Sequence, residues 1–446
     1  MLLMFATSLS PAVAQTNTVA WAMSGGGSNS DVGFAIAVDS SGDAVLVGRM
    51  DDVVTLAGQT SPPRGDLDAA IAKFGADGKL KWLRRPGGTE RDSAQSIAMD
   101  ANGNVLVTGF FRGTGSFGTL NSDSAGHRDA FVAKYDPDGA LLWIRRAGGS
   151  LIDEGRGISA DKDGNVLVTG GFEGQASFSE DVSIAAKGNG DAFIAKYDPN
   201  GTLLWVRQAG NEEHTWGNAV VADSVGNVLV SGTFSETATF GGITLTSSND
   251  LGAFVAKYSP EGELLWAKAG DGSGRGIAYA VSVDEQDNAL IAGNFSRIIQ
   301  FDGTRLESTG GRDAFIAKYQ ADGTLVWAQS FGGPDHDAVR AIASDGRGRI
   351  LITGSFQSEI KIGEKFLASA GDRDIFIAEL GDDGKTVWAR SVGGIETDDG
   401  FGIATDGRGG AYVTGSFAST AGFNGFALTS AGSDDLFIMK LKYQNP

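Results

Sequence analysis

Tryptophan recurs along this chain at an almost constant interval. The intervals are 61, 61, 62, 61, 61 and 61 residues along the series Trp21, Trp82, Trp143, Trp205, Trp266, Trp327 and Trp388. An aspartate follows each tryptophan by 18 residues, at Asp39, Asp100, Asp161, Asp223, Asp284, Asp345 and Asp406. Such regularity indicates a repeat protein, in which one small unit recurs and neighbouring units share a core.

Each copy of the repeat reads as four short strands, which we call a, b, c and d. In the third copy strand a ends near Asp161, and b, c and d are NVLVTGGF, DAFIAKYD and LLWVRQAG. These runs are rich in β-branched and aromatic residues, and turns containing Gly, Asn or Asp separate a from b and c from d. The longer segment between b and c, 177–190 in this copy, is predicted to form an extra hairpin. Four antiparallel strands in seven copies predict an all-β, seven-bladed β-propeller.

The two ends of the chain fall within a copy rather than between copies. Residues 18–24 read as a strand of type d, and the last strand, near 435–440, is of type c. We therefore expect one propeller over 18–446, whose ring is closed by residues 18–24 as strand d of the blade in 401–442. Pairing the termini removes two open sheet edges. The seven spaced tryptophans are predicted to be core residues.

The repeat resembles the bacterial SBBP β-propeller repeat family. The resemblance rests on Gly-Gly…Asp-x-x-x-x-Ile-x-x-Asp-x-x-Gly-Asn-Val-Leu-Val-Thr-Gly followed by Asp-Ala-Phe-x-Ala-Lys-Tyr-Asp-x-x-Gly-x-x-x-Trp, which residues 147–205 carry almost completely. It extends over about residues 18–446. It implies a secreted or cell-surface propeller and no common set of catalytic residues.

Composition narrows the possible partners. The 446 residues include 36 Lys and Arg against 55 Asp and Glu, a net charge of −19, and there is no cysteine. Such charge disfavours nucleic acid and anionic membranes, and the absence of cysteine excludes disulfides and thiolate chemistry. Residues 1–14 are largely apolar and end in Ala-Val-Ala, which predicts an export signal. We expect an exported monomer, located outside the cell, on its surface or in the periplasm, without membrane insertion.

Two sets of aspartates recur on the face that carries the d-to-a and b-to-c loops. The first set, eight residues before the marker aspartate, is Asp31, Asp92, Asp153, Asp337 and Asp398, with Thr215 and Gly276 in the other copies. The second set opens strand c and is Asp68, Asp129, Asp191, Asp313, Asp374 and Asp435, with Gly252 as the exception. One hypothesis is that these side chains accept hydrogen bonds from loop amides. The alternative is that the first set forms an acidic funnel that binds Ca²⁺. No other cofactor is predicted.

The strongest departure from the repeat is the segment Glu212-Glu213-His214-Thr215-Trp216. It replaces the aspartate of the first set and adds a tryptophan beside carboxylates, a combination that suits sugar binding. The alternative is that Trp216 packs against a neighbouring loop. Further candidate ligand-binding residues on this face are Asp335, His336, Asp337, Arg340, Asp398 and Asp399.

Catalytic motifs are not evident in the sequence. His127, His214 and His336 fall in three different copies, and no metalloprotease, nucleophile-elbow or phosphate-loop motif is present. The sequence favours an exported, non-catalytic scaffold that presents its loop-rich face to a glycan, peptide or protein. The alternative is a polysaccharide hydrolase or lyase with acids near the axis, which requires a carboxylate of strongly raised pKa in a pocket.

Overall fold

The computed structural model describes residues 17–249 and 251–443, and every regular element among them is a β-strand. The predicted export signal, 1–14, lies outside the described residues. Within the described part of the chain, no helix has the length and apolarity needed to cross a membrane.

The strands are short and alternate with tight turns. In chain order the first are β1 (Asn17–Gly26), β2 (Val32–Val38), β3 (Ala44–Met50), β4 (Val54–Leu56), β5 (Gln59–Ser61), β6 (Asp68–Phe74), β7 (Leu80–Arg84), β8 (Ser93–Met99), β9 (Val105–Phe111), β10 (Thr114–Ser116), β11 (Asn121–Asp123), β12 (Asp129–Tyr135) and β13 (Leu141–Gly149). The next are β14 (Asp153–Ala160), β15 (Val166–Phe172), β16 (Gln175–Ser177), β17 (Ser183–Ala185), β18 (Asp191–Tyr197), β19 (Leu203–Gly210), β20 (Thr215–Ala222), β21 (Val228–Phe234), β22 (Thr237–Phe240), β23 (Ile243–Thr246), β24 (Gly252–Tyr258) and β25 (Leu264–Asp271). The last are β26 (Gly276–Val283), β27 (Ala289–Phe295), β28 (Ile298–Phe301), β29 (Thr304–Glu307), β30 (Asp313–Tyr319), β31 (Leu325–Phe331), β32 (Ala338–Ser344), β33 (Arg349–Ile362), β34 (Lys365–Gly381), β35 (Thr386–Gly394), β36 (Asp398–Thr405), β37 (Gly410–Phe423) and β38 (Phe426–Tyr443).

Strands a to d pair in order as four-stranded antiparallel units. Units 1 to 7 are β2-β3-β6-β7, β8-β9-β12-β13, β14-β15-β18-β19, β20-β21-β24-β25, β26-β27-β30-β31, β32-β33-β34-β35 and β36-β37-β38-β1. Buried hydrophobic clusters lie between consecutive units. The predicted all-β propeller architecture is confirmed.

The predicted extra hairpin between strands b and c is present, and it has an additional partner. We call it the outer hairpin of its unit. It is β4–β5, β10–β11, β16–β17, β22–β23 or β28–β29 in units 1 to 5, and the outer halves of β33–β34 and β37–β38 in units 6 and 7. Each outer hairpin bonds to the end of strand d of the preceding unit, as Ala209 and Gly210 pair with Phe240 and Thr239. Hydrogen-bonded sheets therefore extend beyond single units.

The first and last described strands are neighbours. Strand β1 pairs antiparallel with β38 in a register that includes Thr18↔Lys442 and Gly25↔Leu436. It also pairs with β4 of unit 1 through Gly25↔Leu56. Each strand a contacts the strands a of both adjacent units, and β36 and β2 are one of these contacting pairs. The strands a thus form an inner circle of contacts.

The spaced tryptophans join consecutive units. The Nε1 of Trp205 donates to the carbonyl of Pro260, 2.9 Å away in the c–d turn of the next unit, and five others make the equivalent bond. Trp82, Trp143, Trp205 and Trp266 are buried, which confirms them as core. Trp21, Trp327 and Trp388 are only half-buried.

In units 1 to 5 the marker aspartate pairs with a lysine of strand c. In unit 3 the Lys196 ammonium lies 2.9 Å from Asp161, and both side chains are almost completely buried. The other Asp side-chain oxygen accepts amides of the a–b turn, at 3.0 Å from Asp163 and 2.9 Å from Asn165. Burial alone would raise the pKa of Asp161, but hydrogen bonds from Asn165 and Lys196 outweigh it and lower the pKa.

Candidate functional site

The first set of aspartates ties two loops together. Asp31 accepts the amide of Gly27 in the d–a loop at 2.8 Å and that of Asp51 after strand b at 2.9 Å. The bond to the residue four positions earlier recurs with Gly88, Gly149, Gly333 and Gly394, at 2.7, 2.7, 2.8 and 2.6 Å. Asp31, Asp92 and Asp398 also accept an amide after strand b and thus cross-link the d–a and b–c loops, as the first of the two hypotheses predicts.

The second set makes the same kind of hydrogen bond within the b–c loop. Each aspartate accepts an amide four positions earlier, from Arg64, Ala125, Lys187, Thr309, Ala370 and Ala431 at 2.8, 2.9, 3.1, 3.0, 3.0 and 3.1 Å. Asp68 also binds Arg85 at 2.8 Å, and Asp129 binds Arg146 at 2.9 Å. Loops of this face are therefore held by repeated, buried side-chain contacts.

Burial governs the protonation of the first set. Each of its side chains is at most 1 % exposed. Desolvation raises the pKa of Asp31, Asp92, Asp153 and Asp398 to about 7 and that of Asp337 to about 8, although amide hydrogen bonds act in the opposite direction. These side chains turn into the loops that they hold rather than into open solvent.

Metal binding by these aspartates gains no geometric support. Among the described residues, no three His, Asp or Glu side chains come together in an arrangement that could hold an ion. The oxygens of Asp31, Asp92 and Asp398 are already occupied by two amides each. Calcium binding stays a prediction.

Trp216 lies at the start of β20 and is half-buried rather than open. Its ring stacks on that of His214 at a centroid distance of 6.2 Å, and the guanidinium carbon of Arg156 lies 4.0 Å from its centroid. A Cβ atom on Gly171 of unit 3 would come within 1.8 Å of the indole. The alternative of packing against a neighbour therefore describes Trp216 better than an exposed sugar platform does.

The remaining candidates separate into two regions. Glu212 and His214 are exposed, and Glu213 accepts a hydrogen bond of 2.9 Å from Asn189. These residues precede unit 4, whereas Asp335, His336, Asp337, Arg340, Asp398 and Asp399 belong to units 6 and 7.

In the second region, Asp335 and His336 are exposed and Asp335 accepts a hydrogen bond of 2.5 Å from Ser358. Asp399 pairs with Arg373 at 3.3 Å. Asp337 and Asp398 accept the d–a loop amides described above.

A set of inner residues was not anticipated from the sequence. Every strand a has a β-bulge, and the residue at the bulge is half-buried at the inner circle. We call these residues the bulge series: Phe34, Gln95, Arg156, Asn218, Tyr279, Arg340 and Phe401. Each lies five residues before a marker aspartate, a constant offset that could have identified the series.

Members of the bulge series contact one another across units. The rings of Phe34 and Phe401 meet edge to face at 5.9 Å. The guanidinium of Arg340 lies over Tyr279 at 4.4 Å and over Phe401 at 6.0 Å. Between units 3 and 4, Arg156 donates to the Asn218 side chain at 3.3 Å. Cation–π and aromatic contacts of this kind create a surface with both apolar and cationic character.

Comparisons with known proteins agree with this architecture. The sequence profile of the SBBP β-propeller repeat family matches residues 142–170. This stretch is similar to a β-propeller repeat. It runs from strand d of unit 2 into strand b of unit 3. The predicted resemblance is confirmed for that stretch.

Two curated proteins are similar over most of the chain. One is an uncharacterized WD repeat-containing protein of Acanthamoeba polyphaga mimivirus, 23 % identical over 82 % of this chain and 33 % of its own length. The other is the regulatory protein FlaEY of Caulobacter vibrioides, 25 % identical over 75 % of this chain and 37 % of its own length. The chain thus spans about a third of the length of these relatives.

Solved structures with a similar course include the WD40 domain of Neurospora crassa Pan2, at a TM-score of 0.46 and 10 % identity. This match covers 96 % of this chain and 95 % of the Pan2 chain. YCF48 bound to D1 peptide has a TM-score of 0.44 and 9 % identity, with 98 % and 99 % of the two chains covered.

Proposed function

We propose that this chain is a non-catalytic scaffold that binds a protein or peptide at the loop-rich end of its inner circle. One observation carries the proposal: a single backbone position, the bulge of strand a, holds seven side chains of differing chemistry, whereas the surrounding frame repeats. Phenylalanine, glutamine, arginine, asparagine and tyrosine all occur there. Variation at one position of a constant frame is what selective recognition needs, and Arg and aromatic residues are enriched at such contact surfaces.

The frame supports this function because it holds the recognition residues rigidly. Each bulge residue lies three positions after the first-set position, where in five units a buried aspartate accepts an amide of the d–a loop and in three of these also an amide after strand b. Side chains fixed on such elements lose little conformational freedom when a partner binds.

The alternative of polysaccharide cleavage has weaker support. Its requirement was a carboxylate of raised pKa inside a pocket. The carboxyls of strongly raised pKa in the first set are at most 1 % exposed and bond to loop amides, so a substrate cannot reach them. A buried carboxyl of raised pKa recurs in five units, which fits a structural role in the loops better than a single catalytic acid.

We also propose that the units close into a seven-bladed ring. The pairing of β1 with β38 and with β4 supports this proposal. So does a hydrophobic cluster that contains Leu46 and Phe74 of unit 1 together with Tyr412 and Leu436 of unit 7. A closed ring brings the whole bulge series around one axis.

Export and the monomeric state belong to the proposal too. Export rests on the apolar segment 1–14 with its Ala-Val-Ala end. Fractionation of cells that express the full chain tests export, and recovery only in the cytoplasm would contradict it. Sedimentation of the purified protein tests the monomer, which a mass of two or more chains would contradict.

Peptide display on the purified protein tests the binding function. Peptides selected on the wild type should lose affinity about tenfold or more for Arg340→Ala or Phe401→Ala, since central contacts dominate binding. Leu204→Ala is the control, because Leu204 is an exposed residue of strand d and is 51 % exposed. Selected peptides that bind all three variants equally, or turnover of a polysaccharide by the wild type, would contradict the proposal.

A further inference from the structure

Three residues at the junction of units 2 and 3 form an ion triad. Glu154 lies between two arginines: its Oε1 is 2.6 Å from Arg128 Nη2, and its Oε2 is 3.0 Å from Arg156 Nη2. Glu154 is 8 % exposed, so this carboxylate is largely removed from water. Arginine pairs of this geometry bind carboxylates strongly because each bond is charge-assisted.

The same backbone frame recurs at the junction of units 5 and 6. Arg312 and Arg340 occupy the places of Arg128 and Arg156, with the same spacing of 26 and 2 residues around the central position. The backbone amide of Asp153 donates to the backbone carbonyl of Arg128 at 3.0 Å, and that of Asp337 donates to the backbone carbonyl of Arg312 at 2.7 Å. A bulge follows the central position by one residue in both units. Here, however, the central position is Ala338.

Without a central glutamate, the second arginine pair is uncompensated. No carboxylate lies within ion-pair distance of Arg312 or Arg340 among the described residues. The Nε of Arg340 is buried and has no hydrogen-bond partner there, and the same holds for the Nε of Arg128 in the sister triad. At a third equivalent junction the chain does supply the acid, since Arg373 pairs with Asp399 at 3.3 Å.

We propose that the junction of units 5 and 6 binds a carboxylate of a peptide partner above Ala338, between Arg312 and Arg340. This site rests on the binding function proposed above and specifies its ligand chemistry. The bound carboxylate takes the place that Glu154 fills in the sister triad. Tyr279 and Phe401 pack on Arg340 and flank the entering chain.

The sister triad favours a peptide carboxylate. There the carboxylate reaches both arginines at the end of the two methylene groups of Glu154. A Glu or Asp side chain, or a free C-terminus, presents a carboxylate on a similarly flexible chain.

Calorimetry with defined peptides tests the site on the full chain. The probes are the amidated, N-acetylated peptide Gly-Gly-Glu-Gly-Gly, its Gln counterpart, and N-acetyl-Gly-Gly-Gly with a free C-terminus. The Glu peptide should bind at least about tenfold more tightly than the Gln peptide, because charge-assisted bonds are lost with the neutral amide. The free C-terminus tells which source of carboxylate is preferred. Equal binding of the Glu and Gln peptides, or tighter binding of an oligogalacturonate, would overturn the proposal.

Two variants use the triad of Glu154, Arg128 and Arg156 as a reference for the proposed site. Ala338→Glu should supply the carboxylate from within, so that the chain stays folded and carboxylate binding falls about tenfold or more. Glu154→Ala should open the sister position and raise the stoichiometry from one peptide to two. Melting curves exclude a folding defect, and undiminished binding to Ala338→Glu would overturn the site. Display-selected peptides that bind Ala338→Glu normally would leave the scaffold function standing while refuting this carboxylate site.

Discussion

The indole Nε1 of Trp388 donates to Glu379 Oε2 at 2.7 Å. Its counterparts donate instead to a carbonyl in the c–d turn of the next unit, as Trp327 does to Asp382. In unit 7 the described part of strand c ends at Tyr443 and strand d begins at Asn17, so the described residues contain no c–d turn of this unit. Glu379 stands where strands c of other units have lysine, and the marker Asp345 pairs with Arg349 of its own turn at 2.6 Å.

A double-mutant cycle at Glu379 and Arg349 tests this altered pattern of hydrogen bonds and ion pairs. Glu379→Lys removes the indole acceptor and adds a cation at the lysine position of strand c, where Arg349 already holds Asp345, so we expect a loss of about 1–3 kcal/mol in the free energy of unfolding. Adding Arg349→Asn restores the pattern of the other units and should recover part of the loss. Urea denaturation measures both. Additive losses would mean that the two substitutions are independent.

Stability should rise as the pH falls from 8 to about 5. The folded state raises the pKa of the first set of aspartates to about 7 or 8, so it binds more protons than the unfolded chain between about pH 4 and pH 7, and ionisation on going to higher pH destabilises it. The marker aspartates of units 1 to 5 have lowered pKa values and act oppositely below about pH 4. Melting temperatures across pH 3–8 should therefore pass through a maximum. Asp153→Asn should reduce the loss of stability between pH 5 and pH 8 by roughly 1–3 kcal/mol. The substitution Asp163→Asn, at an exposed position, should leave that loss unchanged. A rise in stability from pH 5 to pH 8 is the contrary result.

Removing calcium should leave stability unchanged. The carboxylates of Asp31 and Asp92 each accept two amides, which leaves no converging set of free oxygens of the kind that calcium prefers. Calorimetric melting in EDTA and in excess Ca²⁺ measures this, with Mg²⁺ as the control for ionic strength. A rise in melting temperature specific to Ca²⁺ would instead support the acidic-funnel hypothesis.

Gly171→Ala should destabilise the protein because its new methyl group overlaps the indole of Trp216. Overpacking of this kind costs about 1–3 kcal/mol. Combined with Trp216→Ala, which removes the obstacle, the loss should be less than additive. Gly242→Ala is the matched control, since nothing lies within 4 Å of its added methyl group. If both alanine variants melt alike, Trp216 is not held as described.

Ring closure predicts an unequal response at two tryptophans. Trp21 is half-buried and Trp205 is 9 % exposed, so burial alone predicts a larger loss at Trp205. If closure depends on β1, Trp21→Ala should cost more, because it also loosens the strand that pairs with β38. Melting temperature and protease sensitivity near the N-terminus measure the difference. Equal losses at the two sites count against closure.

Much of the fold could be predicted because its determinants are local and periodic. The tryptophan interval located every strand d, and turn residues such as Gly164 and Gly201, both at positive φ, located the hairpins. The pairing of β1 with β38 followed from the phase of the repeat. The partners of the outer hairpins could not be predicted, because they belong to the preceding unit and leave no local pattern.

The candidate site was harder to predict for a physical reason. Exposure of an aspartate depends on whether loop amides turn toward it, and the sequence around Asp153 shows no sign of this. A β-bulge likewise depends on how two strands pair, so the inward position of Arg340 is hidden in a run of ordinary strand residues. The repeat alone shows that Glu154 and Ala338 occupy equivalent positions. Only the ion pairs of Glu154 with Arg128 and Arg156 show what the glutamate does there.

The outer hairpins make the units mechanically interdependent. Each one belongs to a unit by chain connectivity but is bonded to strand d of the unit before it, as β22 is to β19. A repeat protein whose units meet only through side chains can lose a terminal unit at modest cost. Here every boundary is also bridged by backbone, so cleavage of one peripheral loop should weaken two neighbours together and spread unfolding around the whole molecule.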